Sequence, residues 1–412
     1  MLKKIKILIY SNILLSQTLF FSVFAILGLT YQGSGESSIY TLYLVGSALL
    51  AYSIFFFELI KRVTFKPVLA IIFAFPVVFL FFNFIAPEHT FVKSQTNLFF
   101  VLVLPAAFVG YIVARTDKLS SINRSFIITG TIVFIGVLRV LPRLLSSSVI
   151  DLMDVFGGGQ YQAFSYFCAF SFLAFFRYFL YQDNLKFWKY LIYIFVLLVL
   201  CAGVILSGGR GGLIVVFTGL IVFIIRKKGF LKFFKYFFLS SITIFLLLLF
   251  VSKSNFFFSE RITESFDRLF SFVSSDGINM EGTSNRDDFY GIALSKISNS
   301  LIFGYGIFGL VDSLGEYYPH NIFLEILLQG GIIYLIIFLV IMISFFLKLS
   351  LLIRLKKDED VILIPTIYSV VLLLFSSSYL QEPFFWFSLS YVFSYPFNNL
   401  KNKKNEIISD NF

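Results

Sequence analysis

The sequence predicts an all-α polytopic membrane protein, with about 12 transmembrane helices and one large extracytoplasmic loop containing amphipathic helices. Three observations predict it. Of 412 residues, 58% are hydrophobic and 14% charged, where a soluble domain carries about a quarter charged residues, and mean hydropathy is +0.89. Apolar runs recur along the whole length, each near the roughly 20 residues that cross a bilayer as a helix. Lysine and arginine gather in alternate connections, the signature of loops retained in the cytoplasm.

Taken in order, the basic start Met1-Leu2-Lys3-Lys4-Ile5-Lys6 looks like the head of a signal peptide. The apolar run behind it is long and lacks a small-residue cleavage site, so it reads as a retained first helix. Helices are expected over 7–30, 38–60, 67–86, 97–114, 125–141, 161–180, 187–206, 211–225, 234–251, 321–347, 361–380 and 384–398. They divide the chain into a first set of spans (1–251), the large loop (252–320), a second set (321–400) and a polar tail (401–412).

An even number of spans puts both termini on one side. That side collects the lysines at the start, Lys61, Arg62 and Lys66, Arg115, Lys118 and Arg124, and the run from Arg226 to Lys235. It also takes Arg354, Lys356 and Lys357 and the lysines of the tail. The other side keeps Lys93, Arg139, Arg143, Arg210, Lys253, Arg261, Arg268, Arg286 and Lys296. Both termini are therefore placed in the cytoplasm, and the net charge of +10 is a topology signal. No nucleic-acid partner is expected. The run from Arg226 to Lys235 reads as a topology anchor that also suits anionic lipid. Cys168 and Cys201 both lie inside apolar runs, which suggests neither a disulfide nor a metal site.

The large loop has helical patterning. Phe258, Ile262, Phe266, Leu269, Phe270 and Val273 recur at helical spacing between charged residues, as in an amphipathic helix on the membrane surface. A second helix is expected from a loose capping box at Ser284-Asn285-Arg286-Asp287, through Phe289, Ala293, Ile297 and Leu301, to a stop at Gly304-Tyr305-Gly306.

Three residues stand out chemically. Arg210, in Ser207-Gly208-Gly209-Arg210-Gly211-Gly212, faces outward, where a topology anchor has no place. Its glycines suit either close approach of a ligand or helix packing. Arg286 opens the second loop helix, where unpaired N–H groups and the dipole favour an anion and a guanidinium adds a fork for phosphate oxygens. A salt bridge to Asp287 or Asp288 is the plainer alternative. His320, one of two histidines, precedes Asn321 at the mouth of a long apolar run. It suits either accepting a proton from a sugar hydroxyl or orienting it by hydrogen bonding, or else simple placement at the interface beside a capped helix. Glu325 shares a helix face with Asn321 and is an acid about one turn into the membrane, which is costly without a partner. His89 reads as a loop residue. Gly304-Tyr305-Gly306 resembles a potassium filter but lacks the preceding Thr-Val and a pore-helix pair.

At these residues the chain resembles the O-antigen ligase and polymerase superfamily. The resemblance rests on the glycine-flanked Arg210 turn, Asn285-Arg286, Leu301-Ile302-Phe303-Gly304-Tyr305-Gly306, Pro319-His320-Asn321-Ile322-Phe323-Leu324-Glu325 and Gly330-Gly331, in that order over about residues 190–345. It implies an inverting glycosyltransferase without a metal or other cofactor. The site would lie on the outer face of the bacterial inner membrane and act on an undecaprenyl-diphosphate-linked oligosaccharide. By the same resemblance Arg210 and Arg286 bind the diphosphate, and His320 orients or deprotonates the acceptor hydroxyl. Gly209, Gly211, Tyr305, Asn321 and Glu325 line the substrate. Membrane lipid is a partner, and a chain-length regulator fits a polymerase. A polymerase is the expected activity. A ligase acting on lipid A core or protein is the alternative, and a lipid-linked glycan flippase is the competing class.

Overall fold

The computed structural model of the chain describes residues 2–29, 37–61, 67–86, 88–116, 119–146, 156, 161–182, 185–230, 273–274, 277–278, 286–309, 311 and 318–397. Helices stand at every expected place within them. They are α1 (Leu2–Leu27), α2 (Ser37–Lys61), α3 (Pro67–Ile85), α4 (Thr90–Leu98), α5 (Leu104–Thr116), α6 (Leu119–Ser146), α7 (Tyr161–Leu180), α8 (Phe187–Leu206) and α9 (Arg210–Lys228). Within the large loop stands α10 (Arg286–Asn299), and beyond it come α11 (Ile322–Leu355), α12 (Leu363–Phe375) and α13 (Pro383–Ser394). The helix expected over 234–251 lies outside the described residues, as does residues 258–272 of the first loop helix. Val273, the last residue of that pattern, instead belongs to a two-residue strand, β1 (Val273–Ser274), antiparallel to β2 (Gly277–Ile278).

Among the described residues, 6 helical stretches are long and apolar enough to span a bilayer: Ile39–Glu58, Thr90–Thr116, Ile122–Leu144, Tyr161–Leu180, Phe187–Leu206 and Ile322–Leu355. The chain is a helical integral membrane protein. Several ends differ from expectation for local reasons. The fourth span begins at Thr90 because His89 caps α4, its Nδ1 accepting the Phe91 N–H at 3.2 Å. His89 is therefore a helix cap. A π-helical turn, Phe99–Val103, joins α4 to α5. The helix expected over 361–380 stops at Phe375, where the N–H groups of Ser376 and Ser377 both turn back to the Leu372 carbonyl.

The helices fall into two compact units, one of Met1–Leu14, Thr41–Asn123 and Ser284–Phe412, the other of Leu15–Tyr40 and Arg124–Thr283. The first has an aromatic core. Phe55 stacks on Phe108 at 3.8 Å, Phe79 on Phe99 at 4.4 Å, and Phe75 meets Trp386 at 4.7 Å. The second is built on α7, whose buried face from Phe164 to Phe175 packs between α8 and α9. Phe126 meets Phe170 edge-on at 5.0 Å, and Phe156 lies 4.5 Å from Phe164.

The most consequential feature of the first unit is a break in α11. Gly331 has φ 62 and ψ −160, a conformation open only to glycine. The break displaces the Ile332 N–H, which donates to the Leu301 carbonyl at 2.8 Å. It would strand the Leu328 and Gln329 carbonyls, but the N–H groups of Tyr305 and Gly306 fill those places at 2.8 and 2.7 Å. Gly304 sits so close to Gln329 and Gly330 that a Cβ there would meet backbone at 2.6 Å. Within a membrane, irregular backbone persists only where other protein groups satisfy it. The loop from Leu301 to Gly306 does this. It also ties α10 to α11: Ala293 and Ile297 are buried against Leu328, with Tyr305, Leu324 and Leu327 around them.

This account predicts that Gly331→Ala destabilises the purified protein by about 2–3 kcal/mol, from the forbidden conformation and the clash with the Ile302 carbonyl. Gly46→Ala is the control. Nothing lies within 4 Å of a Cβ built there, so in mid-helix it should stabilise by about 0.5–1 kcal/mol. Thermal unfolding in detergent distinguishes the two.

Candidate functional site

The Pro319-His320-Asn321 corner is built by capping. Asn321 is the N-cap of α11, in extended conformation, with its side-chain oxygen accepting the N–H groups of Phe323 at 3.0 Å and Leu324 at 3.3 Å. His320, just before it, has φ 50 and is the sole non-glycine residue with positive φ among those described. Such backbone costs about 1–2 kcal/mol in an L-residue. It turns the imidazole toward the segment between α12 and α13, where Nδ1 lies 3.3 Å from the Ser376 carbonyl. The Tyr318 hydroxyl donates to the same carbonyl at 3.0 Å, and its ring lies 4.6 Å from the imidazole. A carbonyl only accepts, so Nδ1 carries the proton and Nε2 of the neutral ring is the lone-pair nitrogen.

Glu325, one turn below Asn321, is 3% exposed. Its Oε1 accepts from the Ser378 hydroxyl at 2.5 Å and from Gln329 Nε2 at 3.3 Å. The Tyr379 hydroxyl donates to Gln329 Oε1, and Tyr334 donates to the Tyr379 hydroxyl at 3.3 Å. Trp386 Nε1 holds the Tyr379 carbonyl at 2.7 Å. The partner that an acid at this depth requires is thus a polar network between α11 and the Ser376–Glu382 segment. Tyr305 is braced by its hydroxyl, which donates to the Lys296 carbonyl at 3.0 Å. Arg286 is the first residue of α10; its side chain lies outside the described residues, as do Ser284 and Asn285.

Arg210 belongs to the other unit. It is the first residue of α9, after Gly208 with φ 67 and the N-cap Gly209. The turn is seated on α7, where Ser165 Oγ donates to the Gly209 carbonyl at 3.0 Å. A Cβ on Gly209 or Gly212 would strike Ser165, and one on Gly211 would strike the Tyr166 hydroxyl. The packing alternative therefore accounts for these glycines, which let the turn press against α7 while half-buried Arg210 opens the helix. An arginine beside the unpaired N–H groups of a helix start is an arrangement for an anion. The basic residues Arg226, Lys227 and Lys228 close the same helix, about 27 Å away along its axis.

The structure gathers His320, Asn321, Glu325 and Tyr305 in one unit and adds residues that sequence reasoning missed: Ser376, Ser378, Tyr379, Gln329 and Gln95. Gln329 was accessible as the residue four after Glu325. Ser376 to Ser378 formed a visible polar run at a supposed helix end. Gln95 carried no signal beyond being polar in an apolar stretch. Among the described residues no group of three His, Cys, Asp or Glu gathers to hold a metal ion.

Residues 194–339 match the family model described as O-antigen ligase. The match supports the O-antigen ligase and polymerase superfamily, whose members are glycosyltransferase-like membrane enzymes. It contains Arg210, Arg286, Tyr305, His320, Asn321 and Glu325. No curated protein matches the chain.

One pH dependence follows from the segment that holds His320. Glu382, at its end, caps α13 by accepting the Phe384 N–H at 3.1 Å, and burial pushes its carboxyl up to about 8 despite that bond. A carboxyl raised on folding stabilises fully below its unfolded value and loses that contribution as pH rises through the folded one. Glu382→Gln should therefore gain thermal stability relative to the parent between about pH 5 and 8. A gap that does not change with pH would refute the assignment.

Proposed function

We propose that this protein is a polysaccharide polymerase of O-antigen or capsule type. It transfers an undecaprenyl-diphosphate-linked glycan to a sugar hydroxyl of a lipid-linked repeat unit, on the outer face of the cytoplasmic membrane. The observation that carries the reading is His320, held in a strained turn at the mouth of α11 with Nδ1 against the Ser376 carbonyl. Nε2 then takes the acceptor proton as the hydroxyl oxygen attacks the anomeric carbon. The bond from that carbon to the diphosphate oxygen breaks, the diphosphate leaves with the electron pair, and the configuration inverts. Arg210 and Arg286 neutralise the departing diphosphate, with Gly209 and Gly211 serving to bring Arg210 to it. Preorganised charge of this kind is a large catalytic contribution. Tyr305, Asn321 and Glu325 shape the acceptor side. No step calls on a metal.

A second reading has its own support, because the matching family model is described as O-antigen ligase. A ligase shares the chemistry and differs in the acceptor. Purified protein incubated with lipid-linked repeat unit alone separates the cases. A ladder of products is expected. Product formed only on adding lipid A core or an acceptor protein would replace polymerase by ligase, and transbilayer movement without transfer would overturn the enzyme reading.

In that assay Arg210→Lys should lower the rate about 100-fold, since a point charge replaces a bidentate fork on the leaving group. His320→Ala should abolish transfer while leaving binding of the lipid-linked donor intact. Near-normal polymer from either variant would remove that residue from the mechanism.

A further inference from the structure

Two polar side chains are buried against one cavity without filling their hydrogen-bond capacity. Gln95, on α4, is 1% exposed, and neither its Oε1 nor its Nε2 has a partner among the described residues. Glu325 uses Oε1 for Ser378 and Gln329, while its buried Oε2 meets no hydrogen-bond partner within bonding geometry among the described residues. Both line a cavity of about 50 Å³, with Gln329, Ser378, Tyr318 and Pro319 around it. One water needs about 10–15 Å³ of such space, so the cavity admits a hydroxymethyl-sized group or a few waters. Buried polar atoms left bare are costly, and a polar cavity is where a ligand or ordered water meets them.

The donor set selects the ligand. A carboxylate oxygen repels phosphate. A cation would suit Oε2 and the Gln95 carbonyl oxygen but would leave the Gln95 amide hydrogens facing like charge. A neutral hydroxyl both donates and accepts, so it answers the Gln95 amide and the Glu325 carboxyl group at once, whether or not that carboxyl carries a proton. We infer that Gln95 and Glu325 form a subsite for one neutral hydroxyl group, contributed by the acceptor sugar or by a water. The cavity wall includes Tyr318 and Pro319, the two residues before His320, and Glu325 lies roughly 6 Å along the helix axis from Asn321. A sugar residue with one hydroxyl in the subsite keeps another near the imidazole. The sugar source rests on the glycosyl-transfer reading; the water source does not.

The test uses Gln95→Leu, which preserves bulk and removes both polar atoms, in the full-length protein with purified lipid-diphosphate-linked repeat unit as the probe. If the hydroxyl is the sugar's, KM for the acceptor rises about tenfold with kcat within about twofold, as for one lost hydrogen bond to a bound hydroxyl. If it is water's, both constants hold, and a high-resolution map of the unliganded parent shows density bridging Gln95 and Glu325 that the variant lacks. Unchanged constants together with no bridging density overturn the subsite. Should Gln95→Leu fail to fold, Gln95→Asn keeps the amide but withdraws it by one methylene, and the same readouts apply. The map requires no activity, so an inert protein would sink the catalytic reading while the bridging density still decides the subsite.

Discussion

The site depends on the repair of α11 at Gly331. A membrane helix cannot leave backbone groups bare, and this one breaks where Gly331 adopts a conformation closed to other residues. The loop from Leu301 to Gly306 supplies the missing donors and an acceptor, bonding to Leu328, Gln329 and Ile332. The repair has a geometric consequence. It fastens the C-terminal end of α10, the helix that Arg286 opens, to the half of α11 that His320 precedes. Ala293 and Ile297 on one side and Leu328 on the other then exclude water from the join. Gly304, Tyr305, Gly330 and Gly331 are thus parts of one device, though more than twenty residues separate them in sequence.

A second piece of irregular backbone faces the same half of α11. The Ser376 carbonyl takes hydrogen bonds from Tyr318 and His320, and the Ser378 hydroxyl reaches Glu325. Tyr379 is held at both ends, its hydroxyl to Gln329 and its carbonyl by Trp386. The histidine is therefore oriented by a carbonyl. A carbonyl fixes the tautomer and adds no charge of its own. That arrangement fits the proposed reading, in which the substrate itself brings the charge of a diphosphate.

The class and most helix positions were legible in the sequence because they depend on local quantities: runs of apolar residues and the spacing of Lys and Arg. The second loop helix was legible for the same reason, through Ala293 and Ile297. Functions that depend on particular side-chain contacts were not. That the Asn321 side chain caps α11 shows only in its contacts, and His89 looks like a loop residue until it caps α4. The glycines around Arg210 suit ligand approach or packing in sequence, and only Ser165 and Tyr166 across the turn show that packing requires them. Ser376 and Ser378 fell at the end of a supposed helix because apolar patterning cannot show that their polar groups are committed to residues more than fifty positions away. Gln95 is a single polar residue in an apolar stretch, and no periodicity marks it.

The orientation of His320 is the claim on which the chemistry turns, and the chain offers a direct measurement of it. Its two histidines have opposite assignments: His89 accepts at Nδ1 from a backbone N–H, and His320 donates from Nδ1 to a carbonyl. Nitrogen-15 spectra of histidine-labelled protein near pH 9, well above the ordinary imidazole value of about 6.5, report which ring nitrogen carries the proton. A His89→Asn variant assigns the two signals. The account predicts that His320 is protonated on Nδ1 with Nε2 bare, and that His89 shows the reverse. A proton on Nε2 of His320 would contradict it.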